Sequence, residues 1–353
     1  MDMPKRWTGA VAAVALAALP ATVNVARAWD HPGHMVTAAI AFAEIERARP
    51  DLIDKLGLIF LRHPDPAPFW VAVGDARGKE RVRRMFIECA RWPDDSKFTP
   101  NDRLTWHSAR WPVLAEDAPP EAVAAAEARR GGPAGQALEA LSLTSAMLGN
   151  PEADPSERAF ALCWVLHIIG DIHQPMHVGD LFSADFPTGN AGATMSYVLD
   201  PVTRTPIPLH VLWDSNALRV PSLEAVDRAA LTFTNRHPRS AFAELEAHPL
   251  GDPDAFRSWA VESHQIAVDW AFDLETASDP DKDQSADKLV QNMVNFILNG
   301  VSPVTDAPEL PPGYWERLQV TAEQRITLAG YRIADVILSA ADRIEAQRRF
   351  MGR

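Results

Sequence analysis

Residues 160–177 read FALCWVLHIIGDIHQPMH, and up to Ile169 every residue but His167 is apolar. A helix that is hydrophobic on every face belongs at the centre of a domain. Yet His167 and Asp171 fall four apart, one above the other on a single helical face, with His173 and His177 beyond. A buried carboxylate without a partner is costly, so Asp171 should be paired or bound to metal. The helix is therefore expected to hold a metal at the core, and the rest of the chain to supply the other ligands.

Outward from this stretch the pattern stays helical. Spacing of apolar residues, with proline and glycine at the breaks, predicts helices over 34–49, 52–61, 69–90, 135–148 and 156–174. Further helices are predicted over 210–218, 223–235, 239–247, 254–276, 286–298 and 321–347. Trp92-Pro93-Asp94-Asp95 reads as the stop of the third helix. Residues 112–134, rich in Ala, Pro, Glu and Gly, read as a surface loop with one short helix. Over 178–209 Gly, Pro, Asp and Thr take over, which predicts a long functional loop with a strand at 195–199 and room for a small hairpin. No internal repeat and no low-complexity tract interrupts this. The expected fold is all-α, a single mainly helical domain with a loop-rich face.

The chain has 353 residues, 47% of them hydrophobic, enough for a sizeable core. Its start has the pattern of a secretory signal: Lys5 and Arg6, an apolar run over 9–19, and the small-x-small site Ala26-Arg27-Ala28. That run is too short to remain as a membrane span. Cleavage after Ala28 makes Trp29 the first residue of a mature domain, 29–353, in a secreted or periplasmic protein. The formal net charge is −13, and the removed segment takes Lys5, Arg6 and Arg27 away against Asp2 alone. Such a surface has no broad electrostatic footprint for gripping a nucleic-acid backbone. Attraction for phosphate must then be local, and bound cations are its obvious source. Neither stable membrane insertion nor a protein partner is indicated. Cys89 and Cys163 both lie in apolar segments; export permits a disulfide, and buried free thiols fit equally well.

Taken singly, the other candidate ligands are weak. His34 resembles a surface histidine at a helix start, Asp94 a capping residue, and His107 beside Trp106 a satisfied core histidine. His210 and Asp214 are what any polar helix face presents four apart. Together they change meaning. His and Asp are zinc donors, the four-apart pairing occurs at both His167/Asp171 and His210/Asp214, and the first pair lies where a solvated face is no explanation. With no thiolate in the set, the pattern points to hydrolytic zinc with positions open for water and substrate.

Trp29 with His34 close behind, Trp92-Pro93-Asp94, Trp106-His107, the run from His167 through Gly170, Asp171, His173, Gln174 and Pro175 to His177, and Leu209-His210-Val211-Leu212-Trp213-Asp214 follow in that order. In these motifs, spread over 29–214, the chain resembles the zinc-dependent single-strand-specific nucleases with 3′-nucleotidase activity, structural relatives of zinc-dependent phospholipase C. The resemblance implies a trinuclear zinc site, three Zn2+. The first ion would take Asp94, His107 and His167, with Asp171 bridging to a second held by His34 and by the free α-amino group and carbonyl oxygen of Trp29. The third would take His177, His210 and Asp214. Signal cleavage would complete the site, because the unprocessed chain cannot present that amine. Lys97 stands where the family keeps an Arg or Lys near the phosphate, and its expected role is transition-state stabilisation. The implied substrates are single-stranded DNA or RNA, cut to 5′-phosphorylated products by a zinc-activated water, and 3′-nucleotides.

His173, Asp95 and Asp180 are expected to support the ligands from behind. His31, His63, His237, His248 and His264 have no partner spacing and read as ordinary. Ser108 departs from the aromatic residue that the family commonly keeps there near the base. Gly192-Ala193-Thr194 replaces its Gly-Gly-Asn segment, with Asn190 nearby. A lost stacking platform is worth about 1–3 kcal/mol per base. Trp111, Phe182 and Phe186 are the candidates for another aromatic surface, and each equally suits ordinary packing. Two further readings are a phospholipase C or general phosphodiesterase, and a zinc-binding protein without turnover. The Trp29–His34 spacing and Asp at 214 favour the nuclease, and the complete ligand set with Lys97 favours turnover.

Overall fold

A computed structural model describes residues 31–130, 135–216, 218–250, 254–278 and 302–352. Trp29, the expected signal segment and the helix expected over 286–298 lie outside the described residues. In chain order, α1 (His31–Ala48) leads to α2 (Leu52–Phe60), α3 (Ala67–Val73) and α4 (Gly78–Asp95). A 3-10 turn (Leu104–His107) and β1 (Trp111–Leu114) precede α5 (Pro120–Arg130), α6 (Ala137–Leu148) and α7 (Pro155–Asp171). The single turn α8 (Pro175–Val178) is followed by β2 (Gly179–Phe182), β3 (Ser196–Leu199), β4 (Pro206–Pro208) and α9 (Leu209–Ser215). Last come α10 (Leu223–Arg236), α11 (Glu244–Ala247), α12 (Ala255–Ile266), β5 (Ala277–Ser278) and α13 (Tyr314–Phe350). The expected all-α class holds. Strands form only the parallel pair β1–β2 and an antiparallel trio in the order β4-β3-β5. No described helix is long and apolar enough to cross a membrane.

The apolar stretch forms α7. Asp154 starts it, its carboxylate accepting from Ser156 N at 2.7 Å, with Pro155 in the first turn. Every residue from 161 to 171 is buried, and the helix packs against α1, α4, α6 and α13. Withdrawing Leu162, Val165, Leu166, Ile168 and Ile169 from water contributes about 1.5–3 kcal/mol each. That offsets the cost of carrying His167 and Asp171 into the core. Cys89 and Cys163 form a disulfide between α4 and α7, with Cα atoms 4.7 Å apart. This settles the choice that the sequence leaves open.

The first and last helices cross closely. A Cβ on Gly330 of α13 would lie 2.7 Å from Ile40 Cβ and 3.0 Å from the Thr37 carbonyl oxygen of α1. Only glycine fits there without moving α1, which carries His34.

Several expected boundaries are corrected. The single helix over 69–90 is two, because Gly74 and Gly78, at φ 51° and 54°, turn the chain through the left-handed region between α3 and α4. Pro93 does not stop α4. It lacks one donor, but Ser96 N returns to the Trp92 carbonyl at 2.9 Å, and the helix runs on to Asp95. The loop over 112–134 opens with β1, paired to β2 in register Trp111↔Gly179. The hairpin allowed for in 178–209 is β3–β4, preceded by β2. Residues 239–247 break into a 3-10 turn and α11. The helix expected over 254–276 widens into a π turn at Ala267–Ala271 and then gives way to β5, which pairs with β3.

Candidate metal centre

The C-terminal half of α7 brings the polar groups together. Three sets of side chains, each with ligand atoms within 4.8 Å of one another, are His34, His167 and Asp171; Asp94, His107 and His167; and His177, His210 and Asp214. These come from α1, α4, the 3-10 turn, α7, α8 and α9. Of the expected ligands only Trp29 is not among them, and it lies outside the described residues. His167 belongs to two sets, so the first two are contiguous.

Asp171 is the hinge of that pair of sets. Its Oδ1 lies 3.2 Å from His34 Nε2, and its Oδ2 3.2 Å from His167 Nε2 and 3.3 Å from His107 Nδ1. Asp94 Oδ1 lies 3.8 Å from His107 Nδ1 and from His167 Nε2. The rings of His34 and His167 stack at 3.9 Å. In the third set, Asp214 Oδ2 is 3.3 Å from His210 Nε2, and its Oδ1 is 3.7 Å from His177 Nε2.

Carbonyls behind the rings set which nitrogen faces inward. Nδ1 of His167 donates to the Ala90 carbonyl at 2.8 Å, that of His177 to the His107 carbonyl at 2.5 Å, and that of His210 to the Gly192 carbonyl at 2.6 Å. Each Nε2 is thereby left with a bare lone pair directed at the carboxylates, as metal-binding imidazoles require. Burial favours the uncharged carboxyl of Asp171, yet the imidazoles of His167, His177 and His107 around it outweigh burial and hold Asp171 well below the usual carboxylate range. Burial, joined by the charge of Lys97, lowers His107 to about 4.

Among the described residues both oxygens of Asp171, Oδ2 of Asp94 and of Asp214, both nitrogens of His34, and Nε2 of His177 are buried without a hydrogen-bond partner. So many unsatisfied acceptors in one place is rare in a native core. Divalent cations satisfy such a donor set, and an imidazole–carboxylate set without sulfur fits zinc.

Lys97 is not a solvated surface lysine: its Nζ donates to Asp94 Oδ1 at 2.7 Å. Gln174 lies inside the central motif, where the sequence alone gives it no role. Its Nε2 donates to Asp214 Oδ1 at 2.7 Å, and its Oε1 accepts from Met176 N to start α8. The expected support by His173 does not occur at a ligand side chain. His173 Nδ1 bonds the Ile169 carbonyl at 2.6 Å, and its Nε2 meets Arg332 Nη1 at 2.8 Å. Arg332 and Arg325 of α13 both grip Glu262, and Arg325 also donates to the His173 carbonyl at 3.2 Å, so the last helix anchors the turn between Asp171 and His177. Asp95 pairs with Arg91 and with His31. Asp180 acts at one remove, accepting at 3.1 Å from the N–H of Gly192, whose carbonyl holds His210.

The aromatic candidates divide. Phe182 and Phe186 are buried and belong to the packing. Trp111 is half-buried, covered by Arg257 at 5.1 Å from its ring centre. Asn190 is fully buried; its Oδ1 accepts from Leu181 N and Ala193 N, and its Nδ2 donates to Ser196 Oγ, so its amide is spent on the loop.

A family model described as S1/P1 nuclease matches residues 29–342 of the chain. Nuclease S1 of Aspergillus oryzae is 27% identical over 255 residues, which cover 69% of this chain and 75% of that protein.

Proposed function

The chain belongs to the S1/P1 nuclease family, and from that premise we propose that it is a zinc-dependent endonuclease which hydrolyses single-stranded DNA and RNA to 5′-phosphorylated products and also removes phosphate from 3′-nucleotides. The observation that carries this reading is the convergence of three ligand sets on one helix, with Asp171 between two of them. In this reading Asp94, His107 and His167 would hold the first ion, His34 and the amino terminus of Trp29 the second, and His177, His210 and Asp214 the third, with Asp171 serving both of the first two. Bound zinc supplies Lewis acidity and brings the pKa of a coordinated water near neutrality.

The chain's own groups do the rest. Lys97, tethered through Asp94, places a cation beside the phosphate and stabilises charge that grows in the transition state. Ala90, His107 and Gly192 fix the orientation of the imidazoles through their carbonyls, and Gln174 fixes Asp214. The domain is 29–353, exported, with signal cleavage exposing the Trp29 amine.

The test uses protein with a native Trp29 terminus. Zinc content is measured, and turnover is followed on single-stranded DNA, RNA, 3′-AMP and phosphatidylcholine. The reading expects three zinc ions and turnover of the first three substrates. Lys97→Gln is expected to keep its zinc and lose about 100- to 1000-fold in kcat. Turnover of the lipid alone, or none at full zinc occupancy, would refute the proposal.

A further inference from the structure

Backbone strain is concentrated around the metal centre. Among the described residues five non-glycine positions have positive φ, and four of them adjoin the centre: Phe98 next to Lys97, Arg110 close after His107, and Ala191 and Ala193 on either side of Gly192. Side chains in that region are held there by surrounding structure, and such strain collects at functional sites.

Arg110 is the one of these with chemistry to offer. Its backbone, at φ 51°, is pinned to a ligand residue: Ala109 N and Arg110 N both donate to the His177 carbonyl, at 2.9 and 3.3 Å. Its Nε donates to Ser108 Oγ at 3.2 Å. That hydroxyl occupies the position where the resemblance leads one to expect an aromatic ring. Asp180 is engaged by Arg129 at 3.1 Å and by Gly192 N at 3.1 Å, and among the described residues Arg110 forms no ion pair. Among the described residues the two Nη groups of Arg110 have no acceptor. Lys97 and Arg110 therefore attach to different ligand sets, Lys97 at Asp94 and Arg110 through its backbone at His177.

We propose that Arg110 binds a substrate phosphate adjacent to the scissile one, and so selects polynucleotide chains over 3′-mononucleotides. This rests on the reading of the site as a nuclease centre. A planar guanidinium with both Nη groups free matches two oxygens of one phosphate. A mononucleotide has a single phosphate, which the metal sets and Lys97 take. A second cation rewards only a substrate that carries a second phosphate. Phosphate contacts carry no base information, so this recognition is indifferent to sequence. Ser108 aims the guanidinium, in the place of a ring that would stack on a base.

Wild-type and Arg110→Gln proteins, both with the native amino terminus and loaded with zinc, are compared on a single-stranded oligonucleotide and on 3′-AMP. Binding to a phosphorothioate oligonucleotide that resists cleavage is followed by fluorescence anisotropy over a range of salt. In Arg110→Gln, kcat/KM is expected to fall about tenfold more on the oligonucleotide than on 3′-AMP, with the loss in KM. The slope of log Kd against log salt should become shallower by about 0.7, one phosphate contact on a single strand. Arg110→Lys keeps the charge without the fork, so it should restore the slope and only part of the affinity, and it carries the test if the Gln variant does not fold. Equal losses on both substrates, or an unchanged salt slope, would overturn the proposal. A wild-type protein that turns over neither substrate would instead refute the nuclease reading.

Discussion

Glu88 shows how finely single residues near the centre are set. It lies on α4 between Ile87 and Cys89 with its side chain 12% exposed, and Arg91 is 3.8 Å away. Burial pushes its carboxyl up to about 7, Arg91 opposes that, and the charge of Asp95 adds to it. Because the folded pKa lies above the unfolded value of 4.5, the protonated acid favours the fold below that value. This contribution is lost as pH rises through about 7. Glu88→Gln, a neutral mimic of the acid, should match the wild type near about pH 5 and exceed it by up to about 3 kcal/mol near about pH 8. Urea denaturation of the zinc-loaded proteins at both values reads this directly. A gap that fails to open with rising pH would mean that Glu88 is solvated.

At the scale of elements, the Cys89–Cys163 disulfide joins the two helices that meet at the centre, about one turn ahead of Asp94 on α4 and of His167 on α7. The cross-link closes a loop of 74 residues, and chain entropy puts its contribution at about 4 kcal/mol. The double variant Cys89→Ser/Cys163→Ser should unfold at lower urea while keeping its far-ultraviolet helix signal, and it should bind zinc more weakly. Undiminished zinc affinity would show that packing alone aligns α4 with α7. The helices themselves were legible in the sequence because apolar period and glycine or proline punctuation are local signals. The centre was legible because His167 and Asp171 contradict the apolar stretch that holds them. What was not legible depends on contacts far along the chain. β1 pairs with a strand beginning at Gly179, Gln174 finds its role only when Asp214 folds back onto it, and His173 turned toward Arg332 rather than toward a ligand. Pro93 misled for the opposite reason, since one missing donor is a smaller loss than the packing of Trp92 and the return bond from Ser96 can make good.

Over the whole molecule, the centre gathers side chains from α1, α4, the 3-10 turn, α7, α8 and α9, so bound cations would act as cross-links among six elements spread from His34 to Asp214. Without them buried carboxylate oxygens and bare imidazole nitrogens face one another. Chelation should therefore lower the melting temperature of the entire domain in one transition rather than loosen a single loop, and added zinc should restore it. At about 100-fold over Kd each ion contributes about 2.7 kcal/mol. Differential scanning calorimetry before and after chelator treatment measures this, and an unchanged midpoint would mean that the ligand sets do not hold metal in the native state.

Gly330 has a consequence in time as well as in space. Its absent side chain lets α13 lie against Thr37 and Ile40, a turn or two from His34, and α13 also reaches through Arg325 to the carbonyl of His173. A chain emerging from the ribosome has made every expected side-chain ligand by Asp214, yet the helix that seats α1 and steadies the central turn begins only at Tyr314. Contacts so distant in sequence form late. A nascent or truncated product would then lack a settled centre, and in the proposed reading competence would need both the docking of α13 and the later removal of the signal segment.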